Sequence, residues 1–328
     1  MATPSFLGPL FIVGMPRSGT KLLRDLLNRH PYIGIPTAET DCIPHLITKF
    51  GRYPNLGDGN RCEQFYTEFA TTSFYWYMSR EGRVMPREIL LHAPDLNDWD
   101  SIWETILRWY SPPGKADNYI WGDKTPSYIL HMPLLKDIHP EAKFLHIVRD
   151  PRDCALSSKR AWGKSLYRSA SRWAEAVAIA QRDGAMLGQD YLEIRYECLL
   201  DSPKELLQQV CCFLQCDFLE SMTTLARPAE NLGAAKGSTK ILCENKHKFG
   251  CSLSPKCIRR IEEIVFPVAM SAGYTLEQAS RHRPMSRLML QVLRLHDGIT
   301  YMMAATKQRG VSQVLRWMTQ QHRQSGWR

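Results

Sequence analysis

Short apolar runs and helical periodicities alternate along most of the chain. Leu10 to Gly14 is apolar throughout and predicts a buried strand. Ser18 to His30 follows with Leu22, Leu23, Leu26 and Leu27 on one face. That spacing predicts a helix, which Pro31 stops. Ile33 to Ile35 reads as a short strand. Lys143 to Val148 reads as a second buried strand, with a helical pattern opening after Pro151. A longer helix is expected over Ser169 to Leu187, a third strand over Tyr191 to Tyr196, and a helix from Pro203 to Leu214. Residues 60–115 are rich in aromatics and mostly helical in pattern, with Trp99, Ile102, Trp103, Ile106, Leu107 and Tyr110 in one stripe. Strands alternating with helices predict an α/β fold, a parallel sheet covered by helices on both faces. No internal repeat interrupts the pattern. After Gly273-Tyr274 it changes to basic amphipathic helices, giving a body over 1–275 and a tail over 276–328.

Composition narrows the class. The chain has 328 residues, 44% of them hydrophobic, enough for a sizeable core. No segment is long and apolar enough to span a bilayer. The opening Met-Ala-Thr-Pro-Ser lacks the basic flank of a signal peptide, so the expected compartment is cytoplasmic. Ten cysteines are scattered without a C-x-x-C pair, which predicts reduced thiols and no structural metal. Cys211 and Cys212 fall on an apolar helical pattern, where cysteine acts as a small core residue. The histidines, His146 among them, are too dispersed for a metal site.

The net charge of +9 is concentrated at one end. Arg281 to Arg328 holds nine Lys/Arg and one acid, Asp297, so the remainder is close to neutral. The near-neutral body argues against a phosphate-tracking nucleic-acid surface. In the tail, Met285, Leu288, Met289, Val292 and Leu295 recur at helical spacing, as do Val311, Val314, Leu315 and Met318. Two readings are open for that apolar face. It packs on the body or on a second subunit, or it docks on an anionic membrane surface.

The chemistry-bearing signals lie at strand ends. Gly14-Met15-Pro16-Arg17-Ser18-Gly19-Thr20-Lys21 follows a buried strand and opens a helix. Glycines permit the tight turn, and the freed backbone N–H groups with the helix dipole suit an anion. The order Thr20 then Lys21 inverts the Lys-Ser/Thr of an ATP-binding loop. Arg149 sits just past a predicted strand, where open α/β sheets bind ligands. A kinase or ATPase using magnesium, and a non-enzymatic anion-binding protein, remain as alternatives at this point.

Taken together, these segments resemble a known family. Phe11 to Leu23 resembles the 5′-phosphosulfate loop of sulfotransferases that use 3′-phosphoadenosine 5′-phosphosulfate (PAPS). Phe144 to Ser157 resembles their 3′-phosphate motif. Trp121-Gly122-Asp123-Lys124-Thr125-Pro126, Arg195-Tyr196-Glu197, Phe213-Leu214 and Gly273-Tyr274 also fit, and the likeness runs over about residues 8–275. It is nearest to the branch holding bacterial and tyrosylprotein enzymes. The resemblance implies that Arg17, Ser18, Gly19, Thr20 and Lys21 hold one end of the donor and Arg149 and Ser157 the other. It places Tyr196 near the adenine and Ser238 and Lys246 on a closing segment. It also implies Glu39 as general base and Lys124 as the cation that offsets charge on the leaving oxygen, with no metal in the reaction. The family usually has Thr or Ser where this chain has Lys21. The implied acceptor is a hydroxyl-bearing small molecule, carbohydrate or lipid.

Overall fold

The computed structural model of the chain describes residues 3–228 and 237–309. Five strands form one parallel sheet: β1 (Leu10–Gly14), β2 (Ile33–Gly34), β3 (Ile120–Lys124), β4 (Lys143–Val148) and β5 (Tyr191–Arg195). Their order is β2-β3-β1-β4-β5. Successive residues of β1 point to opposite faces, so one strand feeds two cores. Phe11 and Val13 join Phe144, Val148 and the aromatic helices on one face. Leu10 and Ile12 join Leu145, Ile147 and the leucines of the helix Thr20–Leu27 on the other. The expected helix stripe from Trp99 to Tyr110 is buried throughout.

Several boundaries differ from the sequence reading. The first helix begins at Thr20, because Ser18 and Gly19 are used in the turn, and it ends at Leu27. The long helix starts at Leu166, where the Ser165 hydroxyl caps it. Tyr196 opens a helix instead of closing β5. Cys211 is buried, but Cys212 points to solvent, since neighbouring positions on a helix face different ways. Helices Ile43–Phe50, Met132–Ile138 and Pro255–Ser271 were not anticipated.

Strand β3 was not anticipated either. Its sequence, Ile-Trp-Gly-Asp-Lys, has poor strand propensity. It is nevertheless buried at every position and pairs with β1, with Ile12 opposite Lys124. Gly122 is needed there because a Cβ would lie 2.1 Å from the Leu10 carbonyl oxygen. The helix Arg287–Arg309 ends the described part of the tail. Residues 310–328, including the second apolar repeat from Val311 to Met318, lie outside it. Among the described residues no helix is long and apolar enough to cross a membrane.

Candidate active site

The strand order locates the site. From β1 the chain crosses to β2 and β3 on one side and to β4 and β5 on the other, so a crevice opens at the C-terminal end of β1. The register brings four strand ends to that edge, with Gly14 opposite Ile147 and Val148 opposite Arg195. The loop after Gly14 lies in the middle. Lys124 flanks it on one side, and Arg149 and Tyr196 on the other.

The central loop is tightly constrained. Gly19 has φ 98°, and a Cβ on it would sit 2.3 Å from the Tyr196 ring. Arg17 adopts φ 77°, a costly conformation for a residue with a side chain. Its carbonyl is held by Arg149 Nη1 at 3.1 Å. Its side chain donates from Nε to Ser157 Oγ at 3.1 Å and lies over the Trp162 ring. Ser18 and Thr20 are buried in the turn, and Ser18 Oγ lies 3.6 Å from Cys154 Sγ. Burial pushes the Cys154 thiol up to about 12, so it stays protonated beside the loop. Lys21 is half-buried on the first helical turn.

On the β4–β5 side, Arg149 is buried with its guanidinium 4.4 Å above the Tyr196 ring. Trp173 Nε1 donates to the Arg149 carbonyl at 2.9 Å. Glu197 accepts from Asp150 N at 2.9 Å and from the Tyr274 hydroxyl at 2.9 Å. Arg195-Tyr196-Glu197 and Gly273-Tyr274 therefore meet as a brace behind Arg149. Asp150 itself is taken by Arg152, at 2.6 Å, so it is not the partner of Arg149. Asp153 Oδ2 is 3.8 Å from Arg149 Nη2. Arg149 Nε is buried with no hydrogen-bond partner among the described residues. A buried, unmatched guanidinium donor fits a phosphate oxygen.

A segment near residue 245 closes over this arginine. Asn245 accepts from Arg149 Nη2 through its carbonyl at 2.8 Å, and its amide donates to the Tyr196 hydroxyl at 2.9 Å. Lys248 Nζ donates to Asn245 Oδ1 at 2.7 Å. Burial and the Arg149 charge lower its pKa. Asn245 and Lys248 were missed in the sequence reading. The signal available was the paired lysines of Lys246-His247-Lys248, of which only the first was singled out. Lys246 instead pairs with Asp201. Ser238 sits in an exposed turn, where its hydroxyl donates to the Lys240 carbonyl at 3.0 Å. Neither of these two side chains hydrogen-bonds Arg149.

On the β3 side, Lys124 and Glu39 form an ion pair. The Lys124 side chain is only 3% exposed and that of Glu39 is 42% exposed, so the pair faces the crevice from a buried root. Asp123, adjacent to Lys124, is engaged elsewhere. Its Oδ2 accepts from Thr40 Oγ1 at 3.1 Å. Thr40 N donates to Thr125 Oγ1 at 3.0 Å, and Thr40 Oγ1 lies 2.6 Å from the Tyr128 hydroxyl. This network ties the residue after Glu39 to the residue after Lys124. Burial pushes the Asp123 carboxyl up to about 7, against the opposing pull of Thr125 and Lys124. Burial and the Glu39 charge push Asp41 up to about 6. His146 is a core residue, with Nδ1 2.7 Å from the Tyr191 hydroxyl. Of the aromatic segment, Phe65, Phe69, Phe74, Trp99 and Trp103 are core, while Trp76 and Tyr77 are exposed.

A family model described as the sulfotransferase family matches residues 9–220. The nodulation protein NoeE of Sinorhizobium fredii is 27% identical over 231 residues, which is 63% of this chain and 50% of that protein. Protein-tyrosine sulfotransferase 1 of Danio rerio is 26% identical over 215 residues, 62% of this chain and 52% of that protein. The chain thus spans about half the length of these curated relatives. Among solved structures, the sulfotransferase domain of the Synechococcus PCC 7002 olefin synthase aligns with a TM-score of 0.51 at 22% identity. It covers 84% of this chain and 99% of the domain. The sulfotransferase domain from the curacin biosynthetic pathway gives 0.52 at 19% identity, covering 82% and 99%. At these identities the two domains speak to the fold.

Proposed function

The chain belongs to the sulfotransferase family, and on that premise we propose that it moves a sulfuryl group from PAPS to a hydroxyl or amine of a small-molecule, carbohydrate or lipid acceptor. The observation that carries this reading is the junction of two anion-binding elements through Arg17 and Ser157. A nucleotide charged at both ends needs two such centres, one on each side of a short span. Arg17, Ser18, Gly19, Thr20 and Lys21 would hold the 5′-phosphosulfate. Arg149, Ser157 and Lys248 would hold the 3′-phosphate, with Tyr196 beside the base.

The donor supplies the sulfuryl group, and the chain supplies position and charge. Glu39 takes the proton from the acceptor hydroxyl as its oxygen bonds to sulfur. Lys124 offsets the negative charge that grows on the oxygen bridging sulfur and the 5′-phosphate as that bond breaks. In this reading the Lys124 ammonium exchanges Glu39 for the bridging oxygen when the donor is bound. Trp76 and Tyr77 lie on the helix Ser73–Arg80, whose end is tied to Thr37 through Glu81. They offer an exposed aromatic wall on the Glu39 side for the acceptor.

An acceptor screen with isotope-labelled PAPS, read by mass spectrometry, tests the activity. A labelled sulfate on a hydroxyl or amine acceptor is the expected result. A melting-temperature rise with 3′-phosphoadenosine 5′-phosphate (PAP), and none with ATP and magnesium, is expected in parallel. The reverse preference would overturn the proposal in favour of a kinase or ATPase.

A further inference from the structure

The tail helix is mounted with its apolar side outward. Leu288, Val292, Leu295, Ile299 and Met302 recur at spacings of three and four, so they share one face. All five are exposed, Leu288 at 72%, Leu295 at 70% and Ile299 at 59%. The helix is instead held to the body by its other side, where Leu290, Leu293 and Thr300 are half-buried around Asp297. Asp297, nine residues past Leu288 and so on the opposite side of the helix, is only 4% exposed. Its carboxylate accepts from Ser165 N at 2.8 Å and from Arg168 Nη1 at 3.0 Å, at the start of the helix Leu166–Leu187. Thr300 packs on Gly163, where an added Cβ would approach to 2.9 Å. Of the repeat expected from the sequence, Met285 packs on the body, while Leu288, Met289, Val292 and Leu295 are exposed, so the expectation that the whole face packs on the body is corrected. Asp297 and Thr300, with half-buried Leu290 and Leu293 on the same side, make the attachment, and the stripe from Leu288 to Met302 faces outward for about 20 Å of helix.

Charge selects what covers that stripe. Arg281, Arg283, Arg287 and Arg294 are exposed around it. Residues 310–328 add Arg316, Arg323 and Arg328 and no acid. The only acid from Arg281 onward is Asp297, which Arg168 already neutralises. Two copies meeting stripe to stripe would set arginines against arginines with no carboxylate from this segment between them. An apolar stripe flanked by exposed arginines matches an anionic lipid surface, where the side chains enter the acyl boundary and the guanidiniums meet phosphates. We infer that the helix Arg287–Arg309 docks the protein on an anionic bilayer surface through Leu288, Val292, Leu295, Ile299 and Met302, with Asp297 as the internal clasp. Gly163 is next to Trp162, whose ring carries Arg17, so the clasp lies close to the central loop.

Co-sedimentation of the full chain with vesicles tests this without donor or acceptor, and so independently of sulfuryl transfer. Binding is expected to vesicles containing phosphatidylglycerol at low ionic strength, and to be weak with pure phosphatidylcholine or at high salt. The double variant Leu295→Glu/Ile299→Glu should lose at least about ten-fold in binding with an unchanged melting temperature, because both positions are exposed. Arg287→Gln/Arg294→Gln should lose about ten-fold or more for the anionic vesicles only. Equal binding to both vesicle types, or binding unaffected by the glutamates, overturns the inference. So does a dimer, seen by light scattering, that the glutamates dissociate while vesicle binding is absent.

Discussion

Arg17 Nε donates to Ser157 Oγ across 3.1 Å, joining the loop after β1 to the helix Pro151–Trp162, 140 residues away in the chain. Arg149 adds a second tie by donating to the Arg17 carbonyl. The two ends of the proposed donor site are therefore directly joined.

Arg149→Ala should weaken PAP binding by ~1.5–3 kcal/mol, the scale of a charge-assisted hydrogen-bond site. It should affect 5′-AMP far less, since that ligand lacks the 3′-phosphate. Calorimetry with both nucleotides checks this. Equal losses for the two would place the 3′-phosphate elsewhere.

Glu39→Gln should leave PAP affinity nearly unchanged and cut turnover by about 100- to 10,000-fold, the range of a general base. Lys124→Ala should also lower turnover, with the larger effect on acceptors that leave the chemical step slow. Steady-state rates on an identified acceptor decide it. Full turnover in Glu39→Gln would move the base to another group.

Lys248→Ala should weaken PAP, by ~1–2 kcal/mol, because Lys248 is held by Asn245 next to Arg149. Lys246→Ala should change it little, since Lys246 pairs with Asp201. A titration series on the two single variants separates them. The opposite ranking would show that the segment moves when the donor binds.

Gly19→Ala should be worse than Gly51→Ala. Both glycines have positive φ, 98° and 82°, so both substitutions carry backbone strain of ~1–3 kcal/mol. Only at Gly19 does the new Cβ meet another group, the Tyr196 ring, while nothing lies within 4 Å at Gly51. Thermal unfolding and PAP binding of the two variants measure the difference. Comparable losses in both would mean that the ring yields freely.

Asp123 makes stability fall with rising pH. Its carboxyl is raised from 3.8 to about 7 in the fold. Between those values the folded chain keeps a proton that the unfolded chain has released. Stability is thus fully present below about pH 4 and declines toward pH 7, by at most about 1.4 kcal/mol per pH unit for this group. Asp41, raised to about 6, adds the same sign in the lower part of that window. Asp123→Asn keeps the neutral form and should flatten the decline between about pH 6 and 7. Melting temperatures against pH test it. An identical slope in the variant would assign the decline to other groups.

Much of the frame is local and was legible in the chain itself. Apolar runs such as Leu10–Val13, and Phe144–Val148 with only His146 interrupting it, record strands buried on both faces. The glycine turn and the Arg-Asp-Pro-Arg segment carry their chemistry in consecutive residues, and this was enough to reach the family. What the sequence left undecided depends on contacts between distant elements. Strand β3 escaped notice because Gly122, Asp123 and Lys124 read as loop residues. They are buried only because pairing with β1 carries them to the sheet's functional edge. The pairing of Lys124 with Glu39, across 85 positions, follows from strand order and not from spacing. The periodicity from Met285 to Leu295 likewise announced an amphipathic helix but not which side is attached. Periodicity records which residues share a face. Only the placement of Asp297 against Arg168 decides that the apolar face is the one turned outward.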